Sequence, residues 1–250
     1  MMQGLPSISS SAPFGQRALC LVVATCAGLV LGLPSLAQVA DTGSVVLVEA
    51  QTTNAETVRL LAGLARIRAD LQLGMLALGE PSSAVHFTHA QAELLPGLRD
   101  GLAAAGVADL EPALQKLAAG GGKDALRKAY VEAEGALLKA RSVLNPAAGD
   151  VVLAVLDLAK GAAAQIAASG PTEAGAYQQA WALLMAARGE LDLLSRSGDP
   201  AMAKLAVAEG MAVDEVLISM PDPSQSGPVT FDPTPILDLI GRLEKMDEAA

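Results

Sequence analysis

Beyond residue 53 the apolar positions recur at intervals of three and four, the spacing of one face of an α-helix. Leu60, Leu64, Ile67, Leu71, Met75 and Leu78 trace one such stripe. Thr53-Asn54-Ala55-Glu56 just ahead has the spacing of a capping box, so the pattern predicts one long amphipathic helix over 54–78. Gly79-Glu80-Pro81 stops it. Ser82 or Ser83 then caps a second helix with Phe87, Leu94 and Leu98 on one face, and Pro96 kinks or divides that helix before Gly106. The connecting turn is short, so the two helices should lie antiparallel.

The pattern continues to the end of the chain. Asp109 starts a short helix to about 119, Gly120-Gly121-Gly122 breaks it, and a long helix from Asp124 ends before Asn145-Pro146. Further helices run to about 169, from 172 to about 196 and from Asp199-Pro200 to about 220. The prolines of 221–235 rule out regular structure there, and Pro235 opens a last amphipathic helix carrying Ile236, Leu239, Ile240 and Leu243. The expected fold is therefore all-α, an antiparallel bundle of about seven to eight helices, with at most a short strand near 45–48. The expected divisions are a bundle over 38–220, a linker over 221–235 and a terminal helix over 236–250.

One echo suggests two related helical hairpins. Gly79-Glu80-Pro81-Ser82-Ser83-Ala84 resembles Gly198-Asp199-Pro200-Ala201-Met202-Ala203, each after a leucine-rich helix and before an alanine-rich one. The match spans only six positions, which favours the same turn chemistry used twice over duplication.

The first 37 residues follow a different logic. A polar opening ends at Arg17, an apolar run covers 18–33, and Pro34 precedes Ser35 and Ala37, small residues three and one before a cut ahead of Gln38. This is the form of a bacterial export signal and places the mature chain in the periplasm or outside the cell. The run is short of the roughly 20 apolar residues a span needs, so no stable membrane insertion is expected after cleavage. A retained anchor is the runner-up, and lipidation at Cys26 fits poorly because Thr25 precedes it. Cys20 and Cys26 both fall within the signal, so the mature chain is expected to have neither disulfides nor thiolate sites.

The chain carries a formal net charge of −10, and Arg17 is the one charged residue in the signal, so cleavage makes the balance more negative. Such a surface repels nucleic acid and anionic lipid, and neither is an expected partner. Aromatic residues are only 2 % of the chain, which argues against sugar-stacking clefts.

One segment carries suggestive chemistry. The chain's two histidines stand in His86-Phe87-Thr88-His89-Ala90-Gln91-Ala92-Glu93, and on a helix His86, His89 and Glu93 fall within an arc of about 60°. Two imidazoles and a carboxylate on one face suit copper, zinc or iron, and Met75 from the neighbouring helix would add a soft ligand that favours copper. A pair of histidines at this spacing is also common by chance, and a packing or hydrogen-bonding role competes with the metal reading. Tyr177 and Trp181, one turn apart, could line a ligand pocket, although such spacing is more often core.

Gly74-Met75-Leu76-Ala77-Leu78-Gly79, followed by Ala84-Val85-His86-Phe87-Thr88-His89 and Glu93, resembles a group of exported, uncharacterised helical proteins from bacteria. Their pattern reads G-H-L-x-x-G, then A-x-H-F-x-H-P-x-x-E-E, and the resemblance covers about 60–118. Here Met75 stands at the pattern's first histidine and Ala90 at its proline, so the resemblance implies Met75, His86 and His89 in matching positions. No G-x-S-x-G elbow, P-loop or H-E-x-x-H motif is present, and Gly120-Gly121-Gly122-Lys123 lacks the strand and hydroxyl of a phosphate loop. The sequence thus leads to an exported, non-enzymatic helical protein that binds a protein partner or acts as a scaffold. The alternative is a periplasmic protein that binds a transition metal at His86 and His89.

Overall fold

The computed structural model describes residues 54–250, which form nine α-helices and two isolated β-bridges. The export segment, its cysteines and the strand expected near 45–48 lie outside the described residues. The fold is all-α, as the periodicity predicts.

Helix α1 (Ala55–Leu76) organises the rest. Asn54 rather than Thr53 is its cap, its side chain accepting from the amides of Glu56 and Thr57 at 3.1 and 3.3 Å. Twelve of its 22 residues are buried, more than one amphipathic stripe supplies, because α1 packs on two sides. Leu60, Leu64, Ile67 and Leu71 enter one apolar cluster with Phe87, Leu98, Leu114 and Leu137. Leu61, Ala65, Ala69 and Leu73 enter a second with Val155, Leu184, Leu191 and Ile236. Small residues on the second face let neighbouring helices approach closely.

The first cluster is completed by α2 (Pro81–His89), α3 (Arg99–Ala104), α4 (Leu110–Ala118) and α5 (Lys123–Leu144). The second helix expected from sequence is divided, and the division begins earlier than Pro96 itself. A π-helical turn spans Ala90–Leu94 and a 3₁₀ turn Leu95–Gly97. Proline lacks an amide hydrogen and its ring collides with the carbonyl four residues back, which places the disturbance around Ala92. Asn145 closes α5 in the left-handed region, at φ 42°, just before Pro146.

The second cluster is built from α6 (Ala148–Gln165), α7 (Ala174–Leu194), α8 (Pro200–Ser219) and α9 (Thr234–Asp247). Helix α6 stops short of the expected 169, with Ile166 already extended. Asp150 joins the two helix starts, accepting from the amides of Asn54 at 2.9 Å and Ala147 at 3.1 Å. The two echoing turns share a proline at the helix start but differ otherwise. Asp199 caps α8 with its side chain, whereas Glu80 makes no such bond and Gly79 turns at φ 105°.

The proline-rich segment is irregular yet anchored. Thr172 and Val229 exchange backbone hydrogen bonds of 2.7 and 2.8 Å, and the Tyr177 hydroxyl donates to the Pro221 carbonyl at 2.6 Å. Ile236, Leu239, Leu243 and Met246 are buried in the same cluster as α6 and α7, so α9 belongs to the bundle. Among the described residues no helix is long and apolar enough to cross a membrane.

Candidate functional site

The site forms where α2 crosses α1. Gly63, Asp70 and Gly74 share one narrow face of α1, since steps of seven and four residues nearly close whole turns. A methyl at Gly63 would strike Leu98 and one at Gly74 the Phe87 ring, so glycine lets the second layer approach the α1 backbone closely. Ser83, expected as a cap, instead lies inside α2 and its hydroxyl donates to the Gly74 carbonyl at 2.7 Å. Phe87 is buried beside it. These contacts fix the register of α2, and that register sets both histidines over Asp70.

Asp70 is the residue that sequence reasoning missed. Its side chain is 2 % exposed, and burying a carboxylate is costly unless polar partners surround it. The imidazoles supply them. His89 Nδ1 is hydrogen-bonded to Asp70 Oδ2, and His86 Nδ1 lies 3.8 Å from Asp70 Oδ1. On the other side of the ring, His89 Nε2 lies 3.6 Å from Glu93 Oε2. Glu93 is 72 % exposed and sits in the π-helical turn, a distortion often found at functional sites.

An open cavity of 530 Å³ covers the group. It is lined by Asp70, His86, His89, Glu93, Val85 and, from α7, Gln179. The structure thus unites His86, His89 and Glu93 as the sequence suggests and adds Asp70. It does not bring Met75 to them. Met75 lies five residues beyond Asp70, about 140° around the helix, and packs against the first apolar cluster. Among the described residues no group of three or more His, Cys, Asp and Glu could hold a metal ion, and His89 and Asp70 are hydrogen-bonded directly to each other.

The other sequence candidates fall elsewhere. Tyr177 is core, 1 % exposed, with its ring edge-on to Phe231 at 6.4 Å, and Trp181 packs partly buried on the same cluster. Neither lines the histidine cavity. A slightly larger groove of 590 Å³ between α1 and α6 carries Arg59, Arg66 and Lys160. Each of these cations is held by an acid, Glu56, Asp157 and Glu244 respectively, which leaves the groove without a free charge to offer.

A signal for Asp70 was present in the sequence. Gly63 and Gly74 mark a face where another helix comes close, and an aspartate between them must find a partner on that helix. No family model, no curated protein and no solved structure matches the chain.

Proposed function

We propose that the chain is an exported, non-enzymatic helical protein that binds a first-row transition-metal ion in the α1–α2 cavity, through His86 and His89. One observation carries the reading: a buried carboxylate, Asp70, is directed at the chain's only two histidines beneath an open cavity. Imidazole nitrogen and carboxylate oxygen are the donors that zinc, iron and copper accept. The test is metal-dependent melting. Zinc at a hundred times its dissociation constant stabilises a folded state by about 2.7 kcal/mol, which is several degrees for a chain of this size. The shift should be seen in the wild type and be absent from the His86→Ala, His89→Ala double variant. Equal shifts in both proteins would return the histidines to a structural role.

A second reading, a scaffold that docks another protein, is favoured by Val207, Met211 and Ile218 on α8. They are 52, 60 and 84 % exposed and lie within an arc of about 40°. Met211→Lys with Ile218→Lys would then abolish complex formation and leave the zinc shift intact.

A further inference from the structure

We propose that the exposed face of α8 is the contact surface for a second copy of this chain, the two α8 helices lying antiparallel across a two-fold axis beside residues 209 and 210. This rests on the docking reading of α8 above and names its partner.

The apolar stripe of Val207, Met211 and Ile218 is bordered on one side by two charges. Lys204 and Glu215 are eleven residues apart, within about 20° of three full turns, so they share that border and stand roughly 16 Å apart along the helix. Both are exposed, and neither enters an ion pair among the described residues. The other acids of α8, Glu209 and Asp214, are already taken up by Arg242 and Arg188. Beside Glu215 the border falls into a cavity of 470 Å³ between α8 and α9, lined by the further carboxylates of Asp232 and Asp238. The one cation in its lining, Arg242, is the residue held by Glu209 at 2.8 Å. An occupant of this surface must therefore bring apolar side chains to the stripe and a cation to its acidic end.

Alpha-helix α8 of a second copy brings both. A two-fold axis perpendicular to the helix pair sets the same border of each copy against the other with direction reversed, so Lys204 of each faces Glu215 of the other. Parallel helices would instead set lysine against lysine and glutamate against glutamate. Two chains that each carry a formal net charge of −10 repel, and reciprocal pairs of this kind are what permits them to meet in one orientation. The same register places Met211 opposite Ala208 and Ile218 opposite Ala201, bulky residues against small ones, as ridges enter grooves. On the other border Asp214 neutralises Arg188, so no unmatched charge enters the contact there. One helix face makes a small interface, and the dimer is accordingly one that dissociates on dilution.

The experiment is sedimentation velocity of the purified full mature chain over a concentration series, with circular dichroism confirming that each variant is folded. The wild type should dimerise as concentration rises, and Met211→Lys with Ile218→Lys should remain monomeric. Lys204→Glu alone and Glu215→Lys alone should each weaken the dimer about 10–100-fold, because each sets like charges opposite one another. Carrying both substitutions in one chain should restore wild-type association, and a mixture of the two single variants should form a heterodimer. A wild type that stays monomeric at every concentration would overturn the proposal and leave α8 open to a different protein. A dimer lost with the stripe but indifferent to the charge exchange would overturn the antiparallel register. A dimer that survives Met211→Lys with Ile218→Lys would place the contact elsewhere and take the docking reading of this face with it. Should that double variant fail to fold, Ile218→Ser decides, since a side chain 84 % exposed contributes little to the fold and its loss should still weaken the dimer.

Discussion

A buried acid and two phenols, one buried and one half-buried, show how single residues take their properties from their surroundings. Asp70 is kept from water by the glycine-lined crossing and is reached only by groups that α2 carries, so its chemistry belongs to two helices at once. Tyr177 and Tyr130 are the chain's two tyrosines, and both phenols are pushed up to about 12. Burial is the main cause in each, with the Asp222 carboxylate adding to it at Tyr177 and Glu134 at Tyr130. A phenol whose folded value lies above its unfolded value of about 10 stabilises the fold while it stays protonated. That contribution is complete below about pH 10 and is lost as pH rises towards 12. Ultraviolet titration should therefore detect little phenolate in the folded protein until about pH 11. Stability measured by urea unfolding should fall more steeply over that window in the wild type than in Tyr177→Phe.

At the scale of elements, the crossing of α1 and α2 depends on glycine, and Gly74→Ala is its sharpest test. The added methyl would meet the Phe87 ring, and overpacking of this kind costs about 1–3 kcal/mol. Urea unfolding should register that loss, and zinc affinity should fall with it because α2 carries both histidines. Asp199→Ala, which removes the cap of α8, should cost about 1 kcal/mol and leave zinc binding untouched. The elements themselves were readable from the chain. Caps, breakers and stripes located nearly every helix to within a few residues, and Ile236, Leu239 and Leu243 were correctly identified as the buried face of α9. Burial of α1 on a second side was less legible, because alanines at 62, 65 and 69 look neutral in a hydrophobic pattern yet are buried. The site was half legible for a related reason. His86 and His89 stand out by rarity, whereas Asp70 is marked only by Gly63 and Gly74 on its own face of the helix, a signal whose meaning depends on where α2 lies. Met75 was offered as a soft ligand from the neighbouring helix and by the resemblance, but it lies about 140° around α1 from Asp70 and packs on the first apolar cluster.

Across the whole molecule, two apolar clusters share α1, and the chain closes the second of them with its final helix. Ion pairs run beside this seam, Arg68 to Glu134 at 2.6 Å and Arg141 to Glu190 at 2.7 Å, linking α1 with α5 and α5 with α7. The proline-rich segment would be a free tether if it only joined α8 to α9, but its hydrogen bonds to Thr172, Tyr177 and Gln178 hold it along the α7 start. Helix α9 then buries Ile236, Leu239, Leu243 and Met246 against α6 and α8. Fully burying a side chain of this size is worth about 1.5–3 kcal/mol, so four give roughly 6–12 kcal/mol. The whole net stability of a domain is about 5–15 kcal/mol. Truncation after Met220 should therefore abolish the cooperative thermal transition followed by circular dichroism, with aggregation as the second cluster becomes exposed. Leu239→Ala, a milder lesion in the full chain, should cost about 2–5 kcal/mol and lower the melting temperature without changing zinc stoichiometry, because α9 does not contribute to the histidine cavity. A truncated chain that melted cooperatively near the wild-type temperature would mean that α9 rests on a bundle already complete without it, and would free that helix for a partner.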